Sequence, residues 1–368
     1  MKKVIFSVTN DLTTDKRVHK ACLTLYNAGF DVTLIGRRLH DQSNLERPYK
    51  TIRLNLFFKS GFYFYAFYNI RLFLFLLTEK ADILVANDLD TLPANYLSAK
   101  LFGRKLVYDT HEYFCHVPEL TKRPFIQKIW HRIEKLIFPK LKTVITVNNN
   151  IASLYSKEYN VNVHTIHNYP ITNKGPNKSK SELGIPTDKH VLIYQGALNK
   201  DRGLEELIYS MEKIENVVLL IIGGGDVENH LKEITSKLVL KEKVLFIGKL
   251  PFEKLHHYTA NADIGIAIEK DTNLNYKYSL SNKLFDYIHA GLAILGSNIP
   301  ETNKLVTKHS LGLIIENHET ICISEVINKM LSDQKKLNSW KLNSINSSHN
   351  YNWEQEEIKL LSIYQSLL

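Results

Sequence analysis

Apolar residues along this chain gather in short runs separated by longer amphipathic stretches. Residues 4–8, 31–35, 83–86, 106–108, 144–147 and 163–166 are such runs, rich in Val, Ile and Leu, and read as buried strands. Between the first two, Val18, Ala21, Cys22 and Leu25 recur at helical spacing ahead of Gly29. Residues 124–140 predict an amphipathic helix, with Ile126, Ile129, Trp130, Ile133, Leu136 and Ile137 as its apolar stripe. Lys128, His131, Arg132 and Lys135 fall largely off that stripe; Pro124 suits the helix start and Pro139 its end. Strand–helix–strand alternation of this kind predicts a doubly wound parallel sheet.

The alternation stops at residues 173–181, NKGPNKSKS, a polar and turn-rich stretch that reads as a linker. It then restarts, with strand-like runs at 191–194, 217–222, 244–247, 264–268, 292–295 and 313–315. The pattern predicts two α/β domains, residues 1–172 and 182–351, followed by a helix over 352–368. Two doubly wound halves in succession fit an enzyme that holds its ligand in a cleft between domains.

Residues 57–77 depart from the pattern by being intensely aromatic. Asn69 and Arg71 interrupt the run, and its apolar part is short for a bilayer span. A core helix with aromatic packing is the plainer expectation; a surface meeting membrane or a lipid acceptor is the sharper one. The chain of 368 residues is comfortable for two domains, and 44% hydrophobic with 23% charged residues is globular composition. A formal net charge of +9 favours an acidic partner such as nucleotide phosphates, anionic lipid or nucleic acid. Three widely spaced cysteines, Cys22, Cys115 and Cys322, point to reduced thiols in the cytoplasm, and no CxxC or Cys/His motif predicts a metal. The start, MKKVIF, is charged, but polar residues from Thr9 onward cut the apolar run short of a signal peptide.

Candidate chemistry sits where strands end. The loop after the first strand, residues 9–17, contains no glycine, which removes the GxGxxG fingerprint of a nicotinamide-binding domain. Asn87-Asp88-Leu89-Asp90 follows one strand as a DxD, read as polar loop residues facing an acceptor. Asp109-Thr110-His111 ends another, which raises the functional standing of the histidine. In the second half, Gln195 to Leu204 carries Gly196 and Arg202, and Gly223-Gly224-Gly225-Asp226 lets backbone approach a ligand closely. Residues 276–301 are the most informative. Ser279, Ser281 and Asn282 are cap residues, Lys283 follows in the first turn, and Ala290-Gly291 stops the helix. A helix mouth with a lysine suits phosphate, and Asp286, about one turn deeper, suits ribose hydroxyls.

The segment Ser281 to Ala293 resembles the donor-site signature of the retaining nucleotide-sugar glycosyltransferases of family 4, which have the GT-B fold. Asp286 stands where the family usually has Glu, and Tyr278 where a second Glu often lies eight residues upstream. Residues 195–204 resemble the family's donor loop, with Arg202 in the cationic position and Ala197 where many members carry another Arg. The D-x-H at 109–111 resembles a third family segment. The resemblance implies a retaining transferase with two Rossmann-like domains and a cleft active site. It also implies a C-terminal helix crossing back to the first domain and no obligatory cofactor or metal beyond the nucleotide diphosphate sugar itself. His111 is the implied catalytic residue; Gly196, Arg202, Gly224, Asn282, Lys283 and Asp286 are implied at the donor, and Asn10, Asp11, Arg17 and Asp88 on the acceptor side. The implied acceptor is a glycan or lipid-linked sugar, in cell-surface polysaccharide or glycoconjugate synthesis. A peripheral contact with anionic membrane at its cytoplasmic face is a further expectation, and nucleic acid is not an expected partner. A sugar-nucleotide epimerase of the same fold, or a basic nucleic-acid-binding protein, are the alternatives.

Overall fold

The computed structural model describes residues 1–12, 15–38, 45–172, 177–278 and 280–368. These form two compact units, Met1–Asn168 with Glu354–Leu368, and Tyr169–Trp353.

In the first unit seven parallel strands run β1 (Lys3–Asp11), β2 (Asp31–Arg37), β3 (Lys50–Leu54), β4 (Ile83–Asn87), β5 (Lys105–Thr110), β6 (Thr143–Thr146) and β7 (Val163–Thr165). Their spatial order is β3-β2-β1-β4-β5-β6-β7. Chain direction across the sheet therefore reverses between β1 and β4, which is where ligands of such sheets gather. The central strands are covered on both faces, so Val4, Ile5, Phe6, Leu84 and Val85 are all fully buried, as uninterrupted apolar runs require. β3 was not legible in the sequence. It is a half-exposed edge strand whose Lys-Thr-Ile-Arg alternation buries little.

The aromatic stretch folds as one helix, Gly61–Thr78, with Phe64, Tyr68, Leu72 and Leu76 buried at i, i+4 spacing. By length and composition it alone, among the described residues, is long and apolar enough to cross a membrane, contrary to the shorter apolar run read from sequence. Its polar interruption is absorbed by the fold: Asn69 Nδ2 donates to the Tyr65 and Asp90 carbonyls, and Asn69 Oδ1 accepts from the Ala94 N–H. The buried face belongs to the domain core, while Phe62, Tyr63, Ile70 and Leu74 are exposed.

The second unit holds β8 (His190–Ala197), β9 (Val217–Gly224), β10 (Val244–Gly248), β11 (Ile264–Ala267), β12 (Ala293–Ser297) and β13 (Gly312–Ile315). They pair in parallel in the order β10-β9-β8-β11-β12-β13, with the reversal between β8 and β11. This is the doubly wound arrangement expected from the repeated alternation.

The domain boundaries differ slightly from expectation. Tyr169, placed in the first domain from sequence, packs edge-on against Phe285 and Tyr351 of the second unit, and its burial there moves the division to Asn168. At the other end the helix Trp353–Gln365 contributes Tyr364, stacked on Phe6, and Glu356, which accepts the His167 N–H at 2.8 Å. Those contacts make residues from Glu354 onward part of the first unit.

Candidate active site

The carboxyl ends of β8 and β11 flank the reversal of the second sheet, and the residues there converge on one buried acid. Glu269 lies two residues past the end of β11 and is 1% exposed. Its Oε1 lies 2.5 Å from Lys283 Nζ, 3.5 Å from Arg202 Nη1 and 3.3 Å from Ser281 Oγ. Burial pushes the Glu269 carboxyl up, but Lys283 and Arg202 outweigh it, so its pKa lies below the ordinary value. Lys283 is itself buried, with its ammonium over the Tyr194 ring at 4.1 Å; the Arg202 guanidinium covers the Tyr276 ring at 4.5 Å.

Local sequence explains why these groups meet. Asp201 takes a left-handed φ of 67° and Gly203 one of 73°, which turn the loop back so that Arg202 faces the sheet. Gly203 lies so close to the Ile268 carbonyl that a Cβ would sit 2.5 Å from it. Gly196 pairs with Gly223 across β8 and β9, and a Cβ on Gly223 would overlap the Gly196 carbonyl. Gly224, at the end of β9, is crowded by Lys249 and Glu228. Backbone is thus bare of side chains at the strand ends, as a phosphate-bearing ligand requires.

The helix Asn282–Ala290 starts at Ser281 and ends in the left-handed Gly291, as its sequence predicts. Ser281 occupies the N-cap without a side-chain cap bond, because its hydroxyl turns to Glu269. Asn282 is the first helical residue and not a cap; Ser279 lies outside the described residues. Asp286, one turn on, accepts from Gln195 Nε2 at 2.7 Å, and Thr259 donates to Gln195 Oε1 at 2.8 Å. Gln195, Thr259 and Asp286 line a cavity of about 270 Å³ with Leu255 and His256. Gly196, Arg202, Gly224, Asn282, Lys283 and Asp286 are therefore grouped at one end of this sheet. Glu269 and Gln195 were not singled out from sequence.

The first unit builds a second constellation at its own reversal. Asp88, just past β4, has a left-handed φ of 60°, tolerable for Asp and costly for most residues. There its Oδ1 accepts the His111 N–H at 2.8 Å and its Oδ2 lies 3.4 Å from His111 Nδ1. Asp109 Oδ2 lies 3.7 Å from His111 Nε2, a nitrogen that is enclosed and has no hydrogen-bond partner. Burial lowers the imidazole pKa, but the carboxylates of Asp88 and Asp109 raise it to about 9. Burial raises Asp109, but Arg17 and His111 hold it down at about 2. His111 is thus an imidazolium at neutral pH, held between two carboxylates.

The acceptor-side candidates have partners within the first unit. Arg17 is buried, donating to Asp109 at 2.9 Å and to the Ile166 carbonyl at 2.8 Å, so it supports the His111 pair from inside. Asp11 is buried against Arg53 at 3.2 Å. Asp88 serves His111. Asp90, the second Asp of the DxD, is buried and accepts from Thr9; burial, then Asp88, raises its pKa to about 7. Asn10 remains at the surface, donating to Asp15 at 3.3 Å. For Arg17, Asp11 and Asp90 an unmatched buried charge would be costly, and the fold supplies a partner.

Residues 176–347 match the family described as glycosyl transferases group 1, and residues 16–169 match glycosyltransferase family 4. The chain belongs to the group 1 glycosyltransferases of GT-B fold. Its relatives include the lipopolysaccharide core biosynthesis glycosyltransferase LpsD of Rhizobium meliloti, 22% identical over 53% of this chain and 55% of that protein. The chain thus matches about half the length of that curated relative. Sucrose-phosphate synthase from Thermosynechococcus elongatus superposes with a TM-score of 0.84 at 16% identity, covering 100% of this chain and 99% of that one. Anabaena HepE, solved with UDP and glucose, superposes with a TM-score of 0.76 at 13% identity over all of both chains.

Proposed function

We propose that this chain is a retaining glycosyltransferase that moves a hexose from a nucleoside diphosphate to a glycan or lipid-linked acceptor. The observation that carries the reading is the sharing of Glu269 by Arg202 and Lys283 at the reversal of the second sheet. A diphosphate arriving at the open N-terminus of the Asn282–Ala290 helix would be met by both cations. As the glycosidic bond breaks, charge grows on the departing diphosphate, and fixed cations with helix N–H groups stabilise it there. Asp286, oriented by Gln195, is positioned for ribose hydroxyls. His111, an imidazolium held between Asp88 and Asp109, is the group assigned to the reacting sugar or its acceptor.

HepE was solved with UDP, and a uridine diphosphate sugar is the first donor to try. Relatives such as LpsD make the acceptor a cell-surface saccharide in this reading. Exposed Phe62 and Tyr63, and Phe125 at the start of the basic Pro124–Ile137 helix, fit peripheral contact with anionic lipid at the cytoplasmic face. No cofactor beyond the donor enters the chemistry. The test is a thermal-shift panel of nucleoside diphosphate sugars, followed by product analysis with the stabilising donor and a saccharide acceptor. Stabilisation by a diphosphate sugar and an α-to-α or β-to-β product support the reading. No stabilisation by any diphosphate, or an inverted anomer, overturns it.

A further inference from the structure

The Pro124–Ile137 helix buries Trp130 and Ile137 of its expected stripe but adds a carboxylate to the buried face. Leu136 is 64% exposed and Ile126 is exposed, whereas Glu134 is 1% exposed. The reason lies across from it, in the turn Phe114–His116 that follows His111. There the thiol of Cys115, fully buried, comes together with a ring nitrogen of His131 and a carboxylate oxygen of Glu134, all within 4.8 Å of one another. His131 and Glu134 are three residues apart, so both project from one face of the helix.

We propose that Cys115, His131 and Glu134 bind a divalent zinc ion that ties the turn after His111 to this helix. The inference is independent of the donor site. Its first support is an unsatisfied polar set. Glu134 Oε1 and His131 Nδ1 are both enclosed and have no hydrogen-bond partner, an expensive state for buried polar atoms. The second support is orientation. Glu134 Oε2 accepts from the Tyr159 hydroxyl at 2.9 Å, the kind of outer contact that holds a ligating carboxylate in place and leaves the other oxygen free to bind.

The third support is charge. A thiolate and a carboxylate together carry two negative charges, which one dication cancels, so the interior is left neutral. On binding, Cys115 releases its proton to solvent, as does any Glu134 that carries one. A thiolate, an imidazole and a carboxylate favour zinc over magnesium or calcium, which take oxygen ligands. Tetrahedral ligands at zinc distances stand roughly 3.3–3.8 Å apart, so the three groups need to close inward only modestly. His116 is adjacent, its ring 5.3 Å from that of His131 and its Nδ1 enclosed without a partner; it or a water takes the fourth position.

The test is titration of the full chain, purified with chelator, by Co²⁺ and then Zn²⁺. One equivalent of Co²⁺ should give a sulfur-to-cobalt charge-transfer band, which Zn²⁺ abolishes, and Zn²⁺ should raise the thermal midpoint reversibly. Cys115→Ser should lose the band and Cys322→Ser should keep it. His131 is partly exposed, so His131→Ala should fold and weaken Co²⁺ binding about tenfold or more. A parent chain with no band and no zinc-dependent midpoint overturns the proposal. So does a His131→Ala variant that binds Co²⁺ as tightly as the parent.

Discussion

Lys283 Nζ lies 2.5 Å from Glu269 Oε1, and both side chains are closed off from solvent, at 7% and 1% exposure. Two charges removed from water are tolerable only as a pair, and removing one strands the other. Glu269→Gln is therefore expected to lower unfolding free energy by about 3–5 kcal/mol in urea melts at neutral pH. The pH dependence has a definite sign. Glu269's folded pKa is depressed from 4.5, so its stabilisation is present above that value and fades as pH falls through the folded pKa. Glu269→Gln should lose less stability than the parent as pH is lowered below 4.5. A variant as stable as the parent at pH 7 would show that the pair contributes nothing net.

Arg202 is the more accessible cation, with 22% of its side chain exposed and its contact with Glu269 longer, at 3.5 Å. Arg202→Ala should leave the fold intact and reduce nucleoside diphosphate affinity roughly ten- to a hundredfold, the worth of a charge-assisted hydrogen bond. Affinity for the matched nucleoside should barely change. Calorimetry with nucleoside, monophosphate and diphosphate separates these cases. Unchanged diphosphate binding would mean that Arg202 is not a phosphate ligand.

Asp286 shares its carboxylate with Gln195 Nε2. Asp286→Asn removes the charge that strengthens any bond to ribose, so nucleoside affinity itself should fall, in contrast to Arg202→Ala. Asp286→Glu, restoring the family's more usual side chain, should retain transfer. If Asp286→Asn weakened only the diphosphate and left the nucleoside untouched, the ribose assignment would fail.

Strand positions were legible because buried parallel strands are continuous apolar runs, and twelve of them surfaced as such; β3, an edge with alternating character, did not. The donor side was readable for a similar reason: glycines, a capped helix and two cations fall at strand ends in sequence. Glu269 was not, because Glu-Lys-Asp after a strand looks like an ordinary solvated loop, and only tertiary contact shows it buried. The burial of Arg17 and Asp11 was hidden in the opposite way. Polar residues in a first loop look ligand-facing until the sheet places Asp109 and Arg53 against them. Glu134 was hidden by helical periodicity, which put leucine and isoleucine inward and a carboxylate out.

His111 gives the sharpest separation between support and chemistry. Its pKa, about 9 against 6.5, means that the pairing with Asp88 and Asp109 stabilises the fold fully below pH 6.5. That contribution is lost as pH rises from there through about 9, and is worth roughly 3 kcal/mol across the window. His111→Gln should flatten the corresponding decline in thermal midpoint, and Asp88→Asn should move the ring's NMR titration downward. On function, His111→Ala is expected to cripple transfer while leaving donor affinity within a few-fold, since the histidine and the donor-binding residues lie on different units. A His111→Ala enzyme with near-normal turnover, yet with the alkaline decline removed, would leave the imidazolium a purely structural counter-ion to Asp88 and Asp109.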